Sequence, residues 1–215
     1  MRRRESLSAF VALGVSALAA RRASAAPLDD ALADVAKARA SLVTLQGPFV
    51  QERTLSLLAS KVKSTGKMWM VRKENRLRWE LEPPDAAIYW VLPDALAYQT
   101  KQGKGRIDKN TPGAGPLGGV LGDLLVLLGG DLATLKARYD LTLVKRDATG
   151  LVLHAVPKDK AIAKNTQRIE LSLGKDLAQL ERVVLVEKGN DKSEITFGVL
   201  TKNQAVDPKL VAGPT

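Results

Sequence analysis

The stretch Arg76-Leu77-Arg78-Trp79-Glu80-Leu81-Glu82 constrains the fold more than any other part of the chain. Apolar side chains at 77, 79 and 81 alternate with charges at 76, 78, 80 and 82. A period of two sorts into one dry and one wet face only on an extended strand. Pro83-Pro84-Asp85 ends the run. Comparable short runs occur at Phe49–Leu55, Gly66–Val71, Ile88–Leu92, Ala95–Thr100, Tyr139–Lys145, Leu151–Val156, Gln167–Leu173, Glu181–Glu187 and Ser193–Thr201. Turn formers mark the joints, among them Pro93-Asp94, Asp147 to Gly150, Gly174-Lys175-Asp176 and Gly189-Asn190-Asp191. About ten strands, mostly joined by tight turns, predict an antiparallel sheet that curls towards a barrel.

Two segments follow a helical period instead. Leu28, Leu32, Val35 and Leu42 recur at helical spacing, with Asp29 and Asp30 at the favourable N-terminal end, and predict an amphipathic helix over 28–42. The second, Leu117 to Leu128, is apolar on nearly every side and bounded by the Gly- and Pro-rich 112–116 and by Gly129-Gly130. It is too short to cross a bilayer and reads as a core helix or one lining a cavity. Its internal glycines weaken it by roughly 1 kcal/mol each relative to alanine, which favours a mobile cover.

The N terminus carries an export signal. Basic Met1-Arg2-Arg3-Arg4 precedes the apolar Leu7–Ala20, and Ala23-Ser24-Ala25 supplies the small residues of a cleavage site, placing a signal peptide at 1–25 and a single domain at 26–215. Arg3-Arg4, with Arg21 and Arg22 after the apolar core, leaves the general and the twin-arginine routes both open. The chain has no cysteine, which excludes disulfides, thiolate metal sites, a cysteine nucleophile and a lipid-bearing cysteine. Its formal charge of +10 falls to +6 without the signal, 28 basic against 22 acidic side chains, with both signs interspersed. A compartment outside the cytoplasm makes nucleic acid an unsuitable partner.

Catalytic patterns are scarce. His154, the only histidine, lies in an alternating strand on the face of Val152 and Val156. No nucleophile-elbow motif accompanies it. The glycine-rich 113–119 lacks the Gly-Lys-Ser/Thr ending of a phosphate loop, and Asp191 with Glu194 lacks the spacing of a calcium loop. No enzyme activity, metal or cofactor is expected. Apolar material is abundant by contrast: Trp69, Trp79 and Trp90 fall on neighbouring strands, with Met68, Met70 and Phe49 close by. Each suits a core, and together they also suit the wall of a ligand-holding barrel.

The order of these features resembles the LolA family of periplasmic carriers of outer-membrane lipoproteins. The resemblance runs through Phe49-Val50-Gln51, Gly66-Lys67-Met68-Trp69-Met70, Arg76 to Glu80, Pro84-Asp85, Leu180 to Val183 and Gly189 to Phe197. It implies a mainly β protein with helices, a curved, half-open antiparallel barrel under a helical lid, holding acyl chains in an apolar cavity. Candidate cavity residues are Phe49, Trp69, Leu77, Trp79, Leu81, Trp90, Leu121, Leu124 and Leu125; the alternation leaves the faces of 69 and 90 open. The family's lid-holding arginine is matched by Lys73, with Arg72 beside it as the other candidate. Implied partners are an acylated lipoprotein or lipid cargo, an inner-membrane donor and an outer-membrane acceptor, with a monomeric carrier in the periplasm. The alternative is a periplasmic sensor or adaptor that binds lipidated proteins or glycolipids and regulates a membrane partner.

Overall fold

The computed structural model describes residues 15–56, 60–108, 123–129, 131–189 and 191–214, with the backbone alone for 15–26 and 60. Twelve strands occur among them: β1 Thr44–Leu55, β2 Ser60–Val71, β3 Arg76–Leu81, β4 Ala87–Val91, β5 Ala95–Thr100, β6 Gly103–Asp108, β7 Tyr139–Asp147, β8 Gly150–Pro157, β9 Thr166–Leu173, β10 Leu180–Glu187, β11 Lys192–Phe197 and β12 Thr201–Lys202. The helices are α1 Val15–Ala38, α2 at 123–129, α3 Leu132–Arg138, α4 Lys160–Ala163 and α5 Pro208–Val211. No helix among the described residues is long and apolar enough to cross a membrane.

All described strands join one antiparallel sheet in the order β6-β5-β4-β3-β2-β1-β11-β10-β9-β8-β7, with β12 on β1 beside β11. Paired strands are consecutive in sequence except at β1, which pairs with β11 and β12. That long-range pairing fuses two meanders, β1–β6 and β7–β11, into a curved, half-open barrel whose edges β6 and β7 do not pair with each other. The concave face carries one continuous core, from Leu45, Phe49, Met68, Met70, Leu77 and Trp79 on one half to Leu151, Leu153, Leu171 and Val183 on the other.

The sequence expectation of about ten strands misses two short ones and moves several ends. β1 begins five residues earlier than its apolar pattern does and runs through Gly47-Pro48, read above as a break. Proline in a central strand removes a ladder donor. The carbonyl of Pro48 accepts from Gly198 N at 2.9 Å, so its nitrogen points the same way, into the gap where β11 ends and β12 has not begun. No donor is needed there. The expected strand Ser193–Thr201 is split by the same feature into β11 and β12. β6 was not expected, because Gly-Lys-Gly-Arg has little strand propensity; it forms as an edge strand copying β5.

Three helices cover the concave face. α1 extends the predicted 28–42 helix backwards to Val15 and ends earlier, at Ala38; Ala31, Leu32 and Val35 are its buried stripe. α2 presents Leu124, Leu125, Leu127 and Leu128 to the same core, and α3 presents Leu135. α1 is tied to one side of the opening by Asp29 to Lys136 of α3 at 2.6 Å and by Asp34 to Arg146 of β7. α5 lies on the opposite, convex face, against β2 and β3.

A lidded apolar chamber

The wall of the concave face is built by strand register. Met68 stands opposite Trp79, and Met70 opposite Leu77, so four large apolar side chains of β2 and β3 share one face. Phe49 of β1 stacks on Trp79 with centroids 3.6 Å apart at 22°, and Phe197 of β11 meets Trp79 edge-on at 6.2 Å. Gly66 makes the stack possible. A Cβ there would lie 2.4 Å from the Phe49 ring and 2.2 Å from the Glu80 carbonyl oxygen. Phe49, Met68, Met70, Leu77 and Trp79 are all buried, with Leu81 half-buried beside them. In the state described this wall is buried in one apolar core with leucines of α2 and α3.

Of the lid residues expected to face cargo, Leu124 and Leu125 lie in this core; Leu121 lies outside the described residues. Trp69 and Trp90 stand on the other face. Trp69 is opposite Arg78 and Arg78 opposite Trp90, so the three form a row on the convex side. The Arg78 guanidinium sits 5.6 Å from the Trp69 ring and 5.1 Å from the Trp90 ring, and bonds to Glu80. Trp90 packs with Leu92 and Ala97 in a separate small cluster. The C terminus of α5 closes the row. Leu210 O accepts from Trp90 Nε1 at 2.8 Å and from Arg78 at 3.3 Å, and Val211 O accepts from Arg76 at 3.1 Å. Neither Trp69 nor Trp90 is part of the concave wall.

The two latch candidates also separate. Lys73 is exposed in the β2–β3 turn. Arg72 instead reaches the end of α1, donating from Nη1 to Arg39 O at 2.9 Å and Leu42 O at 3.4 Å. A residue absent from the sequence reading completes the connection. Arg39 is 3% exposed and donates from Nη1 to Leu127 O, near the end of α2, at 2.6 Å. Both arginines thus serve carbonyls at helix C-termini, where cations are favoured. Burial pushes the Arg39 pKa down to about 10, the charge of Asp176 opposing and that of Arg72 adding to the fall. The guanidinium remains charged at neutral pH. A sequence signal was present, since Arg39 lies four residues after Val35 and three before Leu42, on the apolar stripe of the predicted helix.

A second polar tie sits at the start of α2. Asp123 is buried, accepts from the Tyr139 hydroxyl and lies 2.7 Å from Arg138. Burial raises its carboxyl above the usual range, against the Tyr139 bond and the Arg138 charge; burial also raises the Tyr139 hydroxyl. His154, half-buried on the convex side, is 4.0 Å from Glu170. No group of three or more metal-binding side chains occurs among the described residues.

The sequence model of the family described as "Outer membrane lipoprotein carrier protein LolA" matches residues 121–211. No curated protein sequence matches the chain. Among solved structures, an uncharacterised conserved protein of Thermus thermophilus superposes with a TM-score of 0.51 at 10% identity, covering 86% of this chain and 92% of that one. A chain of the MucA/MucB complex of Pseudomonas aeruginosa gives 0.49 at 20% identity over 86% of this chain and 60% of its own length. This chain thus spans about three-fifths of that relative. A LolA superfamily protein of Nitrosomonas europaea gives 0.45 at 11% identity, covering 84% and 96%. An open antiparallel sheet of twelve described strands under apolar helices thus accompanies a similarity to the LolA family model over residues 121–211, somewhat less than half of the chain.

Proposed function

We propose that the chain is an exported carrier, not an enzyme, that shelters the acyl chains of lipoproteins or lipids between its concave face and the helices α1 and α2, and passes them towards the outer membrane. The observation that carries this reading is that Phe49, Met68, Met70, Leu77 and Trp79 share one apolar core with the leucines of a short helix, α2. Acyl chains are held by the same burial that holds α2. At about 0.8 kcal/mol per CH₂, a long chain gains more than α2 loses on leaving, so cargo and lid compete for one surface. Methionines at 68 and 70 adapt to chains of varied shape.

Export by a signal at 1–25 is part of the proposal. α1 runs unbroken across the expected cleavage point with Pro27 inside it. Proline inside a helix loses one bond, whereas near a new N-terminus it loses nothing. Trimming after Ala25 therefore leaves Pro27 in a favourable place. Donor and acceptor membrane proteins are the expected partners of a monomeric periplasmic carrier.

Native mass spectrometry on protein extracted from the exported fraction tests the reading. The expected result is a population heavier by an acylated ligand, released by organic extraction. A ligand-free protein that also takes up no acyl probe after gentle warming overturns it.

A further inference from the structure

Arg39 is an unusual residue to find under a lid. Its side chain is 3% exposed, and its Nε has no hydrogen-bond partner. Burying a guanidinium is costly unless an anion or several acceptors meet it. Arg39 donates to the carbonyl of Leu127 and forms no ion pair among the described residues. Every acidic side chain of the chain except Glu5 lies within those residues. The carboxylate whose charge reaches it, Asp176, is engaged by Lys202 Nζ at 2.7 Å and by the backbone N–H groups of Ala178 and Gln179. Arg72, the second guanidinium at this spot, is likewise bonded to carbonyls alone, those of Arg39 and Leu42; the nearby Asp131 is bonded to Thr134.

Two cations therefore stand together beside α1 and α2, both served by the partial charge of helix ends and neither by a full anion. The weaker arrangement is the one that has to move. When α2 lifts, Arg39 loses the Leu127 carbonyl and is left with a buried, uncompensated charge.

We propose that Arg39, with Arg72 beside it, is a head-group site: as α2 lifts, the guanidinium exchanges the Leu127 carbonyl for the phosphate or carboxylate of an anionic acyl lipid. The inference rests on the chamber proposed above and narrows its cargo to amphiphiles with a negative head close to the chain. A carboxylate or phosphate oxygen pair matches the planar fork of arginine and supplies the full negative charge that the Leu127 carbonyl lacks. One guanidinium with two mutually exclusive partners also couples loading to opening. The head group takes the contact that held the lid, while the acyl chain takes the wall that α2 covered.

Titrations with four probes separate this site from the chamber: hexadecanoate, 16-carbon lysophosphatidate, uncharged monopalmitoylglycerol, and inorganic phosphate alone. For the wild-type chain the two anionic amphiphiles are expected to bind at least tenfold tighter than monopalmitoylglycerol, with no measurable binding of phosphate. Arg39→Gln should bring that ratio close to one. Arg39→Lys, which keeps the charge without the fork, should retain part of the preference and guards against a glutamine variant that fails to fold. Equal binding of all three amphiphiles by the wild type overturns the head-group site and leaves the chamber standing. A full anion preference surviving in folded Arg39→Gln also overturns it. Failure of every amphiphile to bind overturns the chamber itself.

Discussion

The two faces of the β2–β4 sheet carry similar side chains and are closed in different ways. On the concave side, Phe49 stacks on Trp79 in the same apolar core as the leucines of α2, whose polar ties run from Arg39 to Leu127 O and from Asp123 to Tyr139 and Arg138. On the convex side, Trp69 and Trp90 flank Arg78, and their cover, α5, is fastened by three side chains to two carbonyls. Aromatic content is thus no guide to which face serves a ligand. The polar connections are. On the function proposed above, the α5 cover, stitched by Trp90 Nε1, Arg76 and Arg78, is a fixed clasp, and the α2 cover, tied by Arg39 and Asp123, is the one exchanged for acyl chains.

The comparison can be broken at several points. The largest effect is expected for Trp79→Ala, which deletes both aromatic contacts in the concave core. It should cost about 3–5 kcal/mol in urea unfolding and abolish acyl binding. If binding survived in a folded variant, the wall would lie elsewhere. Next comes Arg78→Ala, which removes the centre of the convex row and one fastening of α5. A loss of about 2 kcal/mol is expected, with acyl affinity unchanged. Reduced acyl affinity there would mean that the two faces are not independent. Trp90→Phe keeps the ring and removes only the bond to Leu210 O, so about 1 kcal/mol should be lost. Amide exchange should then quicken in 207–213 and not in 123–129.

The smallest effect concerns pH at the lid. Burial raises the Asp123 carboxyl, so the folded chain holds that proton more firmly than the unfolded one. The associated stability is complete below the unfolded value of about 3.9 and is lost as pH rises through the raised folded value. Measured against Asp123→Asn, which does not titrate, the wild type should gain stability as pH falls from neutral towards 4. A difference that is flat, or that moves the other way, would show that the Tyr139 bond and the Arg138 charge outweigh burial.

Much of this arrangement is legible in sequence because its period is short. Arg76 to Glu82 declares both faces of β3 within seven residues, and the turn formers place most of the other strands. The ambiguous cases are those in which local pattern gives equal support to two answers. Met68-Trp69-Met70 offers three large apolar residues in a row, and only the partner strand, with Trp69 opposite Arg78, decides that the tryptophan faces outward. Pro48 argues for a break until the interrupted β11–β12 ladder beside it removes the need for its donor. α5 is four residues long, and its place depends on carbonyl acceptors that no periodicity reports. Arg39 was readable as a charge on an apolar stripe, but its partner, Leu127, lies 88 residues away. Resemblance directed attention to 72 and 73, one of which does reach the helix end.

The three tryptophans, divided between the two faces, allow the central claim to be tested by contact. Single-face variants, Trp69→Phe with Trp90→Phe to leave Trp79, and Trp79→Phe to leave the other two, can be titrated with a fatty acid brominated in mid-chain. Bromine quenches indole fluorescence only at close range. A chamber on the concave face predicts strong quenching in the variant that retains Trp79, and little in the variant that retains Trp69 and Trp90. Quenching confined to the convex pair, or none in either, would contradict it.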